Sequence, residues 1–527
     1  MSATDETRRV HNRMPVIVGV GQLMRHWVAD GGSDVSAAPS PQGLRAAAAR
    51  IALADSGAAA ALRQAIDQII VIRTMADSIP GLPQIFGRAE NPPGALADAL
   101  GIPLNPNNLI YSHVGGDQPQ TLASEAAAAI WSSEKQAVLI AGAEAIGAMK
   151  AAQKAGLNLD WQQAAKGDFT DRGYGDPLLS RYARTNGLGA PMTTYPAFEQ
   201  ALAHRWGHDG AQHRDAMSAL WAGFSHVAAA HPQAQFPTAR DADFLSRPTS
   251  ENFPIAEPYL KWDVAQDAVN QGAALVMVSS ALADRLQIPD AKRIYLHGAA
   301  AAKDVCPTAR ADLSQSVPTQ WALTQTLDVA AIKDARTIEY FDLYSCFPVA
   351  VFLAAEALGI DWRAEAQRLT LTGGLPFFGG AGNGYSLHAI ATLVYRLRDG
   401  ARGAYGLILA NGGFLSKEAA GIYAAHPPAE WQAARHMPSN HLPEGPPLLA
   451  EDCAGHIESW SVGYRRGAAA DGYAFVRTAS GARALAKCRA GEAVIFAARA
   501  ARANGVLIGA PQIIHHVDGI NHLECAA

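Results

Sequence analysis

Three glycine-rich turns in the sequence carry the polar residues that are best placed for chemistry. The first turn, residues 114–120, contains Gly115 and Gly116 and comes directly before a predicted helix. Such a turn points free N–H groups into a cleft, where they can bind an anion or a polarised carbonyl oxygen. Several α/β enzymes place a nucleophile there, but this turn contains neither Ser nor Cys. A tight turn without a chemical role is the equal alternative.

The second turn has six glycines in the twelve residues 373–384, so its backbone can approach a ligand closely. It lacks the Gly-Lys-Ser/Thr of a phosphate-binding loop and the spacing of a dinucleotide site. Asn383, Tyr385, Ser386 and His388 follow where a helix is predicted to begin. His388 is either a base or proton shuttle near neutral pH, or an ordinary helix residue.

The third turn, residues 411–413, is Asn-Gly-Gly at the end of a predicted strand. The amide of Asn411 can donate a hydrogen bond to an oxyanion, although a turn Asn without a chemical role is equally common. Another strand-to-helix corner, residues 342–348, places Tyr344 and Cys346 where they could face the same cleft. A buried Cys beside Phe more often serves packing.

The elements that position these turns are short β-branched runs alternating with Ala-rich helical stretches, which is typical of an α/β fold with buried sheets. The same order recurs from residue 293, which suggests a duplicated unit. The predicted strands are 16–21, 68–73, 109–113, 137–141, 273–278, 293–298, 337–343, 368–372 and 406–410, and the predicted helices are 42–56, 61–68, 120–132, 348–358 and 387–397.

Two regions depart from this alternation. Residues 145–262 are rich in Gly, Pro, Trp, Tyr and charge, which indicates an inserted, partly helical subdomain covering the cleft. Residues 426–447 are Pro-rich and predict a linker. The last segment, 448–527, has short predicted strands at 456–464, 472–477, 493–498 and within 505–517, which favour a small, OB-like β-barrel.

Composition excludes several classes of protein. Apolar residues make up 49% and charged residues 17%, which argues against a disordered chain. The net charge of −5 argues against a nucleic-acid binder, and no apolar run approaches a membrane span. Five scattered cysteines without CxxC spacing indicate neither a disulfide framework nor a metal site. We therefore expect a cytoplasmic protein with no metal, no membrane contact and no nucleic-acid partner.

The order of these motifs resembles the thiolase superfamily, nearest to the branch related to the sterol-carrier-protein thiolases. The resemblance spans residues 14–425. Residues 141–144 (Ala-Gly-Ala-Glu) begin the series, and 270–274 (Asn-Gln-Gly-Ala-Ala) resemble the family's Asn-Asp-Gly-Ala-Ala. Residues 344–347 take the place of His-Asp-Cys-Phe, and 373–384 the place of the Gly-Gly…Gly-His-Pro loop.

This resemblance implies a duplicated five-layer α/β/α/β/α fold with halves at 14–290 and 291–425. It implies that the insertion is a loop domain that binds coenzyme A. The OB-like tail resembles domains that accompany acyl-CoA thiolase-like proteins, either fused or as partner chains.

Four reactive groups of the family are replaced. Gly115 stands where the family has its nucleophilic Cys, and Gly380 where it has the His that activates that Cys. Asn411 replaces the acid/base Cys, and Tyr344 replaces the His of His-Asp-Cys-Phe. Without a thiolate an ordinary acyl-enzyme mechanism is not expected.

The resemblance and these replacements together predict a protein of lipid metabolism that binds acyl-CoA and makes or breaks the carbon–carbon bond beside the thioester, as in a retro-aldol cleavage. Tyr344 with Tyr385 or His388 would transfer the proton. Asn411 and N–H groups around Gly380 would hold the thioester oxygen. The alternative is a catalytically silent CoA-thioester binding or scaffold protein that recruits a partner through its tail.

The coenzyme A ligands expected on this basis are turn glycines, one amide and two cations of the insertion. These predicted ligands are Gly115, Gly116, Gly379, Gly380, Asn383, Arg181 and Arg184.

Either a homodimer or a monomer is expected, because the tail could replace the usual pairing of thiolase subunits.

A covalent test follows from the missing nucleophile. When the protein is incubated with acyl-CoA thioesters and digested for mass spectrometry, we expect no acyl group on any of its cysteines, because none aligns with the family's nucleophile. A thiolase that retains the Cys is the positive control. An acylated cysteine formed during turnover would contradict the prediction. The peptides to follow contain Cys306, Cys346, Cys453, Cys488 and Cys525.

Overall fold

The structure is a computed structural model that describes residues 12–29, 34–103, 105–164 and 167–525. Its helices and strands divide into an N-terminal half, a C-terminal half and a tail. The N-terminal half, with the insertion, contains β1 (Pro15–Met24), α1 (Pro41–Asp55), α2 (Ala59–Ala65), β2 (Gln68–Val71), α3 (Pro92–Leu100), β3 (Leu109–Tyr111), α4 (Gln118–Trp131), β4 (Ala137–Ala145), α5 (Ile146–Ala155), β5 (Thr170–Asp171), α6 (Arg181–Thr185), α7 (Pro191–Arg205), α8 (Gly210–Ala230), α9 (Ala242–Ser246), β6 (Pro254–Ala256), β7 (Tyr259–Leu260), β8 (Asn270–Ser279) and α10 (Ser280–Arg285). The C-terminal half contains β9 (Ile294–Lys303), α11 (Val317–Val329), β10 (Tyr340–Leu343), α12 (Pro348–Leu358), α13 (Trp362–Glu365), α14 (Tyr385–Asp399), β11 (Tyr405–Gly412), β12 (Lys417–Ala424) and β13 (Arg435–His436). The tail contains β14 (Cys453–Arg465), β15 (Ala468–Thr478), β16 (Arg483–Lys487), α15 (Ala493–Arg502), β17 (Pro511–Val517) and β18 (Ile520–Leu523).

The two halves repeat one strand arrangement. In the first half β1 pairs antiparallel with β8, β8 antiparallel with β4, and β4 parallel with β2. In the second half β9, β12, β11 and β10 pair in the same order and directions. The halves join where Val16 and Ile17 of β1 pair with Tyr295 and Ile294 of β9.

Helices complete five layers around these strands. α4 and α14 contact strands of both halves and form the central layer. α1 covers the other face of the first half, and α11 covers that of the second. Because helices cover both faces of these strands, the strands consist of long buried apolar runs. Every residue of β4 and β8 is buried. The predicted duplicated five-layer α/β architecture is therefore confirmed.

The Ala-rich sequence of α1 lets its backbone lie directly on β1. A Cβ atom on Gly19 would lie 2.1 Å from the carbonyl oxygen of Ala52, and one on Gly21 would lie 2.3 Å from that of Ala48. Glycine is required at both positions because a real Cβ cannot approach a carbonyl oxygen so closely. The small residues of strand and helix thus set the spacing between these two layers.

The inserted segment packs on the second half. Phe198 of α7 and Trp221 and Phe224 of α8 share one buried cluster with Phe341 and Phe352 of the C-terminal half. Near its start the insertion also contributes β5, which pairs with the outer edge of β3. The insertion therefore covers both the cleft region and one end of the sheet.

The tail is a small β-domain. Its five strands pair in a ring, because β14 pairs with β15 and β17, β16 with β15 and β18, and β17 with β18. Strands β6 and β7 of the insertion extend this sheet beyond β14. The assignment of the tail as OB-like stays a prediction.

Two predicted strands are wrong. Residues 493–498 belong to helix α15, which buries Ala493, Phe496 and Ala500 at helical spacing. Residues 368–372 begin in a short 3-10 helix, Ala366–Leu369, and continue as a loop. The N–H groups of Leu371 and Thr372 donate to a side chain, the Asp342 carboxylate, instead of a neighbouring strand. The sequence patterns also missed α3 and β12.

The tail is anchored to the C-terminal half by a buried arginine. Arg483 is fully buried, pairs with Glu458 and donates to the carbonyl oxygens of Thr308 (3.0 Å) and Arg310 (2.5 Å). We expect Arg483→Ala to lower the free energy of unfolding by roughly 3–5 kcal/mol, since it breaks a buried ion pair. Urea denaturation measures this. Arg477→Ala is the matched control: Arg477 pairs with the same Glu458 but is partly exposed, so its loss should cost about 1 kcal/mol or less. Equal losses would contradict the anchoring role.

Candidate active site

The structure brings together four of the segments that the sequence singled out. The Gly115 N–H donates to Asn383 Oδ1 at 3.0 Å, which ties the first turn to the glycine-rich loop. A Cβ atom on Gly116 would lie 2.3 Å from Tyr344 Oη and 2.5 Å from the carbonyl oxygen of Asn411. The first turn, the glycine-rich loop, the Tyr344 corner and the end of β11 therefore meet at one point between the halves.

A carboxyl group fills the space beside Gly115. A Cβ atom on Gly115 would lie 2.0 Å from Asp117 Oδ1, and one on Gly412 would lie 2.2 Å from the same oxygen. Gly115 has a φ of +148°, a conformation that residues with side chains rarely adopt. No side chain, a cysteine included, fits at position 115 unless Asp117 moves.

The Asp117 carboxyl group is buried and only partly satisfied. Its Oδ2 accepts a hydrogen bond from Gln118 Nε2 at 2.9 Å, whereas Oδ1 has no hydrogen-bond partner among the described residues. Lys417 Nζ lies 4.0 Å from Oδ1 and donates to the carbonyl oxygen of Val114. Burial raises the pKa of Asp117, and the charge of Lys417 opposes the shift.

A second unsatisfied acid lies nearby on β12. Neither carboxyl oxygen of Glu418 has a hydrogen-bond partner within the described part of the chain. Burial, and then the charge of Asp117, raises its pKa well above the usual range, while the nearby Thr319 hydroxyl opposes the shift. Asp117, Glu418, Lys417 and His113 line one cavity of about 740 Å³.

Sequence reasoning missed both acids. Asp117 was visible two residues after Gly115 on the same turn, and Glu418 lies five residues after the end of the Asn-Gly-Gly turn. The spacing alone could not show that either carboxyl group would be buried without a partner.

Tyr344 carries a buried phenol with no hydrogen bond to any described residue. Its ring packs edge-on against Tyr385, with the ring centroids 5.5 Å apart. Burial raises the pKa of Tyr344 well above 10, and the charges of Cys346, Asp117 and Glu418 add to the shift. The phenol therefore stays protonated, so it can donate a hydrogen bond but is a poor base.

Tyr385 is held by the loop that it follows. Its hydroxyl group donates to Asp342 Oδ1 at 3.0 Å and lies 2.6 Å from Thr372 Oγ1. Burial and the Asp342 charge raise its pKa well above 10. In this arrangement Tyr385 packs against the Tyr344 ring, and its own phenol stays protonated.

His388 lies apart from Tyr344. Its Nδ1 is 3.1 Å from Gln22 Oε1, and the Phe378 ring packs against both His388 and Tyr385, with centroid distances of 5.2 and 6.1 Å. Burial lowers the pKa of His388 to about 3, so the imidazole is neutral at physiological pH.

Asn411 is engaged by a residue of the insertion. Its Nδ2 donates to Tyr195 Oη at 3.0 Å, and Tyr195 stacks on Phe347 with a centroid distance of 4.1 Å. Asn411 Oδ1 has no partner among the described residues. Tyr195, which the sequence patterns did not place here, thus fixes the amide that was expected to hold an oxyanion.

Three other residues predicted to bind coenzyme A, Gly379, Gly380 and Asn383, are packed against or hydrogen-bonded to other parts of the protein. The Gly380 N–H donates to the carbonyl oxygen of Gln266 at 2.7 Å, so it is not free in this conformation. Gly379, with a φ of +121°, packs closely against Val269 and Gln271. Asn383 Nδ2 donates to the Arg73 carbonyl oxygen and to Ser78 Oγ, both at 2.8 Å.

The two predicted cations lie on α6. Arg181 and Arg184 are exposed, and Arg184 donates to the carbonyl oxygen of Leu179. The helix is tied to the tail domain, since Tyr182 Oη donates to the Leu449 carbonyl oxygen at 2.8 Å. Neither arginine contacts the four converging segments.

Metal ligation and membrane insertion have no visible basis in the described residues. Across residues 12–29, 34–103, 105–164 and 167–525, no three His, Cys, Asp or Glu side chains gather as metal ligands do. Within the same ranges, no helix has the length and apolar character that crossing a bilayer requires.

Comparison with known proteins gives relatives among solved structures. The monomeric SCP2-thiolase-like protein type 1 from Mycobacterium smegmatis is 32% identical over 98% of this chain and 100% of its own, with a TM-score of 0.80. The dimeric peroxisomal thiolase of Saccharomyces cerevisiae is 14% identical over 78% of this chain and 98% of its own, with a TM-score of 0.54. The Ltp2-ChsH2(DUF35) aldolase is 18% identical over 79% of this chain and 98% of its own, with a TM-score of 0.52. The last two likenesses concern the fold alone. No family model and no curated protein matches the chain.

The packing at Gly116 yields a stability prediction. Gly116→Ala should lower the free energy of unfolding by about 1–3 kcal/mol, because the new methyl group meets Tyr344 and the Asn411 carbonyl oxygen. Gly384→Ala, in the same site but with open space around its Cα and a negative φ, should change it by no more than about 0.5 kcal/mol. Chemical denaturation of both variants measures the difference. Equal stability would mean that the turn and the Tyr344 corner do not touch.

Proposed function

The chain belongs to the SCP2-thiolase-like branch of the thiolase superfamily, and on that premise we propose that it binds acyl-CoA thioesters and makes or breaks the carbon–carbon bond beside the thioester by proton transfer. One observation carries the proposal. The carboxyl group of Asp117 is buried, and its Oδ1, which accepts no hydrogen bond from the described residues and lies 4.0 Å from Lys417 Nζ, occupies the space where a side chain at position 115 would begin. A proton acceptor thus stands where the family places its sulfur nucleophile.

Covalent acyl transfer does not fit these surroundings. Cys346 is the cysteine nearest the converging loops, with its sulfur 3.7 Å from Asn411 Nδ2. Burial raises the pKa of Cys346 to about 12, so the thiol is protonated at neutral pH, and the thiol is a far weaker nucleophile than the thiolate.

The proposed reaction is a retro-aldol cleavage of a β-hydroxyacyl-CoA, or its reverse. Asp117 removes the proton of the β-hydroxyl group, and the oxygen electrons form a carbonyl group as the bond between the α and β carbons breaks. The electrons of that bond pass into the thioester, which becomes an enolate and then takes up a proton. The products are an aldehyde or ketone and a shortened acyl-CoA.

Tyr344 suits the second role in this reaction. Because burial keeps its phenol protonated, it can donate a hydrogen bond to the enolate oxygen, where negative charge develops. Tyr385, fixed by Asp342, orients the Tyr344 ring. His388 and Asn411 then support the loops and do not transfer protons.

The raised pKa of Asp117 helps its role as a base. A carboxylate of ordinary pKa is a weak base, and one whose pKa moves towards neutrality accepts a proton more readily. A base must be ionised to act, so kcat/KM should fall as the pH drops through the pKa of Asp117. Since that pKa is raised from 3.8, the fall should occur at a higher pH than for an exposed Asp.

The test uses a panel of β-hydroxyacyl-CoAs, with released acyl-CoA measured by mass spectrometry. Asp117→Asn keeps the size of the side chain but removes the base, so we expect cleavage to fall by about 100-fold or more. Glu134→Gln is the control: Glu134 is exposed just beyond the C-terminal end of α4 and does not line the cavity of Asp117, so activity should be unchanged. Cleavage that survives in Asp117→Asn would remove this assignment.

A second candidate function is thioester binding without turnover, with the tail recruiting a partner. Its support is that several polar groups of the cleft are already occupied, namely Tyr385 by Asp342, Asn411 by Tyr195, and His388 by Gln22. On this function wild-type protein would bind acyl-CoA in calorimetry but release no product from any member of the panel.

We also propose that the protein is a monomer. The outer edge of β3 is paired with β5 of the same chain, so it is not free to pair with a second subunit. Sedimentation analysis at micromolar concentration tests this. A cytoplasmic location and a role in lipid metabolism stay predictions.

A further inference from the structure

A second cavity lies in the N-terminal half, apart from the converging loops. It has a volume of about 330 Å³ and lies between α1, the segment 74–92, the end of β4 and α5. Its walls are mainly apolar and include Met75, Leu82, Phe86, Met149 and Trp161. Cavities of this size and character are typical of small-molecule sites.

One charged side chain of this cavity forms no ion pair within the part of the chain that the structure describes. Arg45 of α1 is 2% exposed, and its Nε is buried without a hydrogen bond. Its guanidinium group forms no ion pair with any residue of the described ranges. An arginine remains charged in proteins, and a buried charge is costly unless it is paired. Within the described residues, the fold therefore keeps a buried guanidinium group without an ion pair at an apolar cavity.

Burial lowers the pKa of Arg45, and the charges of Glu144 and Asp77 oppose the shift, but neither acid forms an ion pair with Arg45 among the described residues. Asp77 is occupied, since it pairs with Arg88 and accepts a hydrogen bond from Tyr111 Oη at 2.8 Å. Glu144 accepts from the Met75 N–H at 2.6 Å. Burial raises the pKa of Glu144 to about 8, so this carboxyl group is mainly protonated at neutral pH.

The remaining charged groups of the wall are also engaged elsewhere. Lys150 and Asp267 pair with each other at 2.5 Å, and both are largely exposed. The cavity thus combines apolar walls with one buried, unpaired guanidinium group.

We propose that this cavity binds an apolar monocarboxylate, such as a free fatty acid, whose carboxylate pairs with Arg45. A guanidinium group offers parallel N–H donors that match the two oxygens of a carboxylate. The apolar walls would cover the alkyl chain. A neutral thioester carries no charge to pair with Arg45, so the chemistry of the cavity favours the free acid.

The site is separate from the proposed catalytic one and does not rest on it. Glu144 stands between them: a Cβ atom on Gly382 of the glycine-rich loop would lie 2.3 Å from Glu144 Oε1, while Glu144 also lines the cavity. A ligand in the cavity would therefore lie against the support of the glycine-rich loop without touching Asp117 or Tyr344.

The experiment is calorimetric titration of the full-length protein with octanoate. Wild-type protein should bind octanoate, and methyl octanoate should bind at least about 10-fold more weakly, because the ester lacks the charge. Arg45→Met should weaken octanoate binding by a similar factor. Arg50→Met is the matched control, since Arg50 lies on the same helix but is exposed and donates only to the Ala99 carbonyl oxygen; its binding should equal the wild type.

Two further measurements keep the proposal open to refutation if Arg45→Met folds poorly. Met149→Trp fills the cavity without changing Arg45 and should abolish octanoate binding. Octanoate should also raise the Tm of the wild type, because a ligand that binds only the folded state stabilises it. The proposal fails if octanoate does not bind the wild type, if Arg45→Met binds it equally well, or if methyl octanoate or octanoyl-CoA binds the cavity more tightly than octanoate does. None of these results depends on cleavage activity, so the two proposals can fail separately.

Discussion

The carboxyl group of Asp117 lies where the first turn and the end of β11 approach each other. Side chains at positions 115 and 412 would both begin within 2.2 Å of its Oδ1. Glycine at both positions lets the first turn and the end of β11 close on this one carboxyl group. The close contact excludes a sulfur nucleophile and, at the same time, shields an acid from water. The proposed replacement of acyl-enzyme chemistry by proton transfer follows from this packing.

The buried polar groups of the site fall into two sets, those that have hydrogen-bond partners and those that do not. Tyr385 and His388 are buried but have partners, and their pKa shifts keep both neutral at physiological pH. Asp117 and Glu418 are buried with carboxyl oxygens that accept no hydrogen bond from the described residues, which is costly in the folded state unless a ligand or proton compensates. The Tyr344 phenol, kept protonated by burial, can donate a hydrogen bond. Whether a buried group is assigned a structural or a chemical role here depends on its hydrogen-bond partners and not on its residue type.

The two cavities show how one scaffold can supply two kinds of environment. The polar cavity lies at the start of α4, where turn residues of both halves meet, and it contains Asp117 and Glu418. The apolar cavity lies against α1, whose small residues allow the helix to lie close on the sheet and which contributes Arg45 to the cavity wall. The insertion contributes one residue to each site. Tyr195 accepts a hydrogen bond from Asn411 beside the converging loops, and Met149 lines the apolar cavity.

The sequence by itself predicted a duplicated α/β fold, because buried strands and helices such as residues 348–358 carry strong local patterns. The place of Gly115 at the family's nucleophile position came from the family resemblance and not from those patterns. Local patterns misassigned residues 493–498, because a short apolar run is compatible with either a strand or a helix. Only the packing of its buried side chains shows which of the two it forms. Only the tertiary structure decided which polar groups lack partners, as with Asp117 and Arg45. Burial and hydrogen-bond satisfaction depend on residues far apart in the chain, so no local pattern contains them.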